Sequence, residues 1–119
     1  MVQNLLHDLS RLSFEQFSSV EVILTINIEE NLSFVFGDNF NLKLLRNVRP
    51  LGFGANHNQA FTLSDSDIFN VANPDIGISN SFSSSIIDNL ESDWGCMAPI
   101  VKSPEGGIED SARRYPTIR

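Results

Sequence analysis

The residues best suited to chemistry in this 119-residue chain are amides, carboxylates and glycines gathered in two short runs. The first is Gly52-Phe53-Gly54-Ala55-Asn56-His57-Asn58, a glycine turn followed closely by two amides and an imidazole. Glycine lets a backbone approach a ligand closely, and an Asn amide both donates and accepts hydrogen bonds toward a base or ribose. The second run is Asn73-Pro74-Asp75, which presents one carboxylate suited to a hard divalent cation. Mg²⁺ takes oxygen ligands and is commonly held by one or two carboxylates together with substrate phosphates. These residue types also favour a plain turn, the simpler account on spacing alone.

A competing pair, Asp65 and Asp67, has two-carboxylate spacing but precedes a predicted strand, at the opposite edge of the sheet, and reads as a solvated loop. Zinc would need clustered His or Cys, whereas His7 and His57 are far apart and Cys96 is alone. Neither a Gly-x-Ser-x-Gly elbow nor a phosphate loop ending in Lys-Ser or Lys-Thr is present. Cys96 reads as a small buried hydrophobe within an apolar strand and Trp94 as packing, while Arg113 and Arg114 suit a phosphate contact and an exposed charged loop equally well.

The elements that would position these runs follow from periodicity. Val2, Leu5, Leu6, Leu9 and Leu12 recur at helical spacing and predict an amphipathic helix over residues 1–12. Residues 20–27 are apolar at nearly every position and rich in β-branched types, as a strand covered on both faces should be. Residues 42–45 predict a second short strand closed by Asn47, and the glycine turn leads into a helix over 55–61. Residues 68–72 predict a third strand, and Ser79 and Asn80 suit the cap of a helix carrying Phe82, Ile86, Ile87 and Leu90. Residues 96–101 predict a fourth strand, and the chain from Ser103 onward reads as a loop. Alternating strands and helices imply an α/β layer structure with a largely parallel sheet, in which ligands collect at the C-terminal strand ends. Asn27, the turn at 52–58 and Asn73-Pro74-Asp75 all fall at such ends.

Composition narrows the classes. Hydrophobic residues at 41% and charged residues at 19% suit a globular chain, and the length suits one domain over residues 1–119. No run approaches the ~18 apolar residues of a membrane span, and a single cysteine excludes an internal disulfide framework. The formal net charge of −7 argues against nucleic acid or an anionic membrane surface as the main partner.

The run from Asn47 to Phe61, Asn47-Val48-Arg49-Pro50-Leu51-Gly52-Phe53-Gly54-Ala55-Asn56-His57-Asn58-Gln59-Ala60-Phe61, followed after one predicted strand by Asn73-Pro74-Asp75, resembles the family 2 glycosyltransferases. The likeness is to their rhamnosyltransferase-like branch, which builds bacterial surface polysaccharides. Ala98-Pro99-Ile100-Val101, then Gly107, Asp110-Ser111-Ala112-Arg113-Arg114 and Pro116-Thr117, resembles the next segment of those enzymes in the same order. The resemblance implies a three-layer αβα nucleotide-diphospho-sugar transferase fold of the glycosyltransferase A type, present here in part. It implies sugar transfer from a UDP- or dTDP-sugar donor to a glycan or lipid-linked acceptor, with inversion, in the bacterial cytoplasm at the inner face of the membrane. Asp75 would then hold Mg²⁺ or Mn²⁺ against the donor diphosphate, offsetting the charge of the leaving group. Asn73 would lie beside it, and Gly52, Gly54, Asn56 and Asn58 would line the nucleoside pocket. Asn27 stands where many relatives carry Asp beside the nucleoside.

Two further expectations come with the resemblance. The family's opening strand, between the strands at 20–27 and 67–72, has no counterpart in this chain. The segment carrying the catalytic base is also missing, so no catalytic residue is assigned. The resulting gap would leave unpaired strand edges that close by re-pairing or drive self-association. The alternative function is a shortened, non-catalytic nucleotide-binding or interaction module of the same fold.

Overall fold

A computed structural model describes residues 2–28, 33, 35, 37–90 and 95–109. Their contacts group into two units, Met1–Asn89 and Leu90–Arg119. The first is a small α/β domain in the order α1 (Val2–Ser10), β1 (Glu21–Ile26), β2 (Asn41–Arg46), α2 (Phe53–Phe61) and α3 (Phe82–Asp88).

Helix α1 forms because its leucines fall on one stripe, and it buries Leu5 and Leu6. Its end is set by side chains. Ser10 Oγ donates to the His7 carbonyl at 2.7 Å, and Asn39 Nδ2 donates to the carbonyls of Leu9 and Leu12 at 3.0 and 2.9 Å. Terminal helix carbonyls lack partners within the helix, and this amide reaches that of Leu9 together with that of Leu12 just past the helix end, fixing the approach to β2.

Strands β1 and β2 pair in parallel, Glu21 opposite Asn41 through Ile26 opposite Arg46. Glu21 and Lys43 share one face and form an ion pair at 2.6 Å. Both strands lie within a residue or so of the predicted spans. The buried apolar core is small among the described residues: Leu5, Leu6, Leu12, Ile26, Phe40 and Ala60. Strand β1 was expected to be covered on both faces, yet only Ile26 is fully buried and Glu21 to Thr25 are half-buried.

The cause is that the third strand predicted over 68–72 does not form: those residues join no ladder among the described residues. Their β-branched composition suits a strand, but a strand exists only where a neighbour supplies hydrogen bonds. Residues 64–74 instead border a cavity of about 730 Å³ whose other wall is β1. The segment is anchored by Phe69, whose ring meets the Phe61 ring edge-on at 5.2 Å between centroids.

Helix α2 starts at Phe53, two residues before the predicted start, because Gly52 already has the extended backbone of an N-cap. Helix α3 carries Phe82, Ile86 and Ile87 as expected, but it ends at Asp88 and leaves Leu90 outside and exposed, and its N-cap is Ser81 in place of Ser79 or Asn80, with no side-chain capping bond. The Ser79 carbonyl accepts from Phe82 N at 3.0 Å, and that backbone bond takes over the role.

In the second unit the fourth strand predicted over 96–101 is also absent. Among its described residues an antiparallel bridge joins Lys102 to Ile108 around a turn closed by Ser103 N donating to the Gly107 carbonyl at 2.8 Å. Gly106 takes φ +87°, a left-handed conformation that favours glycine. Cys96 is exposed, correcting the expectation of a buried thiol, because no strand carries it inward. Trp94, Arg113 and Arg114, with residues 110–117 of the third motif, lie outside the described residues. No helix among the described residues is long and apolar enough to cross a membrane.

Candidate functional site

Parallel strands end side by side, so the residues that follow them meet. Here Asn27 follows β1 and Asn47 follows β2, and Asn47 N donates to the Ile26 carbonyl at 3.1 Å. Asn47 Nδ2 donates to Asn27 Oδ1 at 2.9 Å and to Asn56 Oδ1 at 2.7 Å. Asn27 Oδ1 also accepts from Leu51 N at 2.8 Å, while Asn27 Nδ2 donates to the Leu51 carbonyl at 3.1 Å. Asn56 Nδ2 reaches the same carbonyl at 3.3 Å. Two side-chain amides, Asn27 and Asn56, thus clasp the backbone of Leu51 just before α2, and Asn47 braces both of them.

This network brings together two expected site residues, Asn27 and Asn56, and adds a third, Asn47, which opens the motif run but was assigned no site role. Asn27 Oδ1 has both acceptor positions filled from within the chain. Its work is to hold the turn. The sequence signal for Asn47 was its place one residue beyond β2, matching Asn27 one residue beyond β1.

Gly52 and Gly54 occupy the N-cap and first turn of α2 with negative φ. A Cβ built on either would meet nothing within 4 Å. The fold itself therefore has no steric need for glycine at these positions. The first turn carries no side-chain cap, so its N–H groups keep the partial positive charge of a helix N-terminus. Phe53 is exposed and packs edge-on against the His57 ring at 4.3 Å. Asn58 is exposed on the same helix and joins none of the other candidates.

Asn56 and His57 line the 730 Å³ cavity together with Asn73 and Pro74 from the other wall. Part of each run therefore borders one space, while Gly52, Gly54, Asn58 and Asp75 do not line it. Asp75 faces a second, smaller hollow of about 380 Å³, where it meets Asn4, His7 and Asp8 of α1. Asp8 is committed there to fixing the chain, since its Oδ2 accepts from Ile78 N at 3.1 Å. His7, remote from Asp75 in sequence, lines the same hollow. Among the described residues no group of three or more His, Cys, Asp or Glu is arranged to hold a metal ion. Asp75 is an exposed single carboxylate in a turn, and Asp65 and Asp67 are exposed in the loop after α2.

No family model matches the chain, and no curated protein or solved structure matches it either.

Proposed function

We infer that this chain carries the donor half of a metal-dependent glycosyltransferase site, in a partial three-layer αβα fold of the nucleotide-diphospho-sugar transferase type. The observation that supports the reading is the shared cavity bordered by Asn56 and His57 from α2 and by Asn73 and Pro74 from the facing segment. The nucleoside of a UDP- or dTDP-sugar would lie against the first turn of α2, where Gly52 and Gly54 leave open space. Asp75 would bring Mg²⁺ or Mn²⁺ to the diphosphate, with the remaining ligands from phosphate oxygens and water. A glycan or lipid-linked acceptor and a cytoplasmic setting complete this reading. Asn27 serves it indirectly by positioning Leu51 and the helix start.

The test is a calorimetric titration of UDP and of dTDP into the chain, with and without Mn²⁺. The expected result is Mn²⁺-dependent binding that Asp75→Asn abolishes. Absence of nucleotide binding by the folded chain overturns the reading.

A second reading, a shortened, non-catalytic nucleotide-binding or interaction module of the same fold, is favoured by the asparagine network. The amides of Asn27 and Asn56 are engaged with Asn47 and Leu51 rather than directed at a ligand. Nucleotide titration does not separate the two readings; sugar transfer does.

A further inference from the structure

The backbone of β1 has one satisfied edge. Val20 and Ile26 carbonyls accept from Asn41 N and Asn47 N at 2.9 and 3.1 Å. Along a strand, alternate residues direct both N–H and C=O to the same side, so the even-numbered residues of β1 face β2. Glu21, Ile23 and Thr25 therefore direct their backbone groups to the other edge. No strand pairs there among the described residues. Instead the edge borders the 730 Å³ cavity, with residues 64–74 forming the opposite wall. All three helices contribute apolar side chains to this slot, including Leu6, Ala60 and Ile86.

We propose that the slot between β1 and residues 64–74 binds an extended segment of a partner protein as an added β-strand, apolar along its length and carrying Lys or Arg at the end beside Asp65 and Asp67. The groups of Glu21, Ile23 and Thr25, unpaired among the described residues, supply the main-chain ladder, and the mainly apolar lining given by the helices, β1 and Ile68 to Ala72 favours a Val/Ile-type run. The charge of the slot sets the flank. Glu21 is neutralised by Lys43, whereas Asp65 and Asp67 line the slot exposed and without an ion-pair partner among the described residues.

A second copy of the chain is the poorer occupant on two grounds. Each copy carries a formal net charge of −7, so like rims would be brought together. The free edge of β1 also lies along a slot whose far wall is residues 64–74, and two such edges meet only if that wall is displaced. The proposal stands independently of nucleotide binding, since the ladder runs along Glu21 to Thr25 and the donor reading concerns the turns beyond the strand.

The probe is a fluorescein-labelled peptide of two lysines followed by six alternating valines and isoleucines, titrated into the 119-residue chain by anisotropy. Amide exchange followed by NMR is the second readout. The expected result is saturable binding, with exchange at Ile23 and Thr25 slowed at least tenfold and exchange at Val22 and Leu24 little changed. The exposed-loop double variant Asp65→Asn/Asp67→Asn should bind about fivefold more weakly, the scale of two solvent-screened ion pairs. Four outcomes overturn the proposal: no binding; binding without protection at Ile23 and Thr25; equal binding of a peptide with glutamates for the lysines; or a dimer by light scattering that already protects those amides without peptide.

Discussion

Asn47 donates through Nδ2 to Asn56 Oδ1 at 2.7 Å, tying the residue after β2 to the first turn of α2. The same amide holds Asn27 at 2.9 Å, so one side chain sets the relation between both strands and the helix that follows them. Asn47→Ala removes both bonds and leaves partly buried acceptors. A loss of about 1–3 kcal/mol is expected, read as a lower urea midpoint with an unchanged slope. An unchanged midpoint would show that the network is incidental to stability.

Leu6 is the most completely buried side chain, at 1% exposure, in a core of only six apolar residues among those described. Leu6→Ala should cost about 2–5 kcal/mol by lost transfer energy and cavity formation. For a small domain with a total stability of roughly 5–15 kcal/mol, that is a large share. Thermal unfolding followed by circular dichroism should show a much lower and broader transition.

Asp75→Asn should leave thermal stability unchanged, because the side chain is exposed and has no ion-pair partner among the described residues. The same substitution should remove Mn²⁺-dependent nucleotide binding. Loss of binding together with loss of fold would assign Asp75 a structural role instead.

The Glu21–Lys43 pair is short at 2.6 Å, but its side chains are 25% and 55% exposed. Screening and side-chain entropy limit such a pair to about 1 kcal/mol or less. Lys43→Ala should therefore shift the urea midpoint slightly, and the shift should shrink in 1 M salt, where the screening length is about 3 Å.

Gly106 holds φ +87° in the turn between Lys102 and Ile108. Gly106→Ala should open that turn at a cost of about 1–2 kcal/mol. The readout is loss of the cross-turn NMR contact between residues 102 and 108, with residues 2–89 unaffected.

The local elements were legible because each declares itself over a few residues. The leucine stripe of α1, the β-branched run of β1 and the glycine turn before α2 all produced the expected structure within two or three residues at their ends. The failures share one cause. Ile68-Phe69-Asn70-Val71-Ala72 has strand composition, but strand formation depends on a neighbour that the segment itself does not encode. Cys96 was misplaced for the same reason, since its burial was inferred from a strand that never pairs. At the site, residue type was readable and commitment was not. Asn27 and Asn56 are at the strand end and helix turn where ligands gather, yet their amides are engaged by Asn47 and Leu51, a fact visible only in three dimensions.

The register of the sheet also bears on how the chain folds. Every pair, from Glu21 with Asn41 to Ile26 with Arg46, spans the same sequence separation of twenty residues. No pair is more local than another, so the sheet has no hairpin from which to start. The entropy of closing that loop is lost before the first rung is formed, and each later rung adds little further loop cost. Zipping after a single rate-limiting encounter is the expected behaviour, with the lag set by chain diffusion and contact order rather than by strand propensity. Insertions in the segment that connects β1 to β2 should therefore slow refolding while leaving the unfolding rate nearly unchanged.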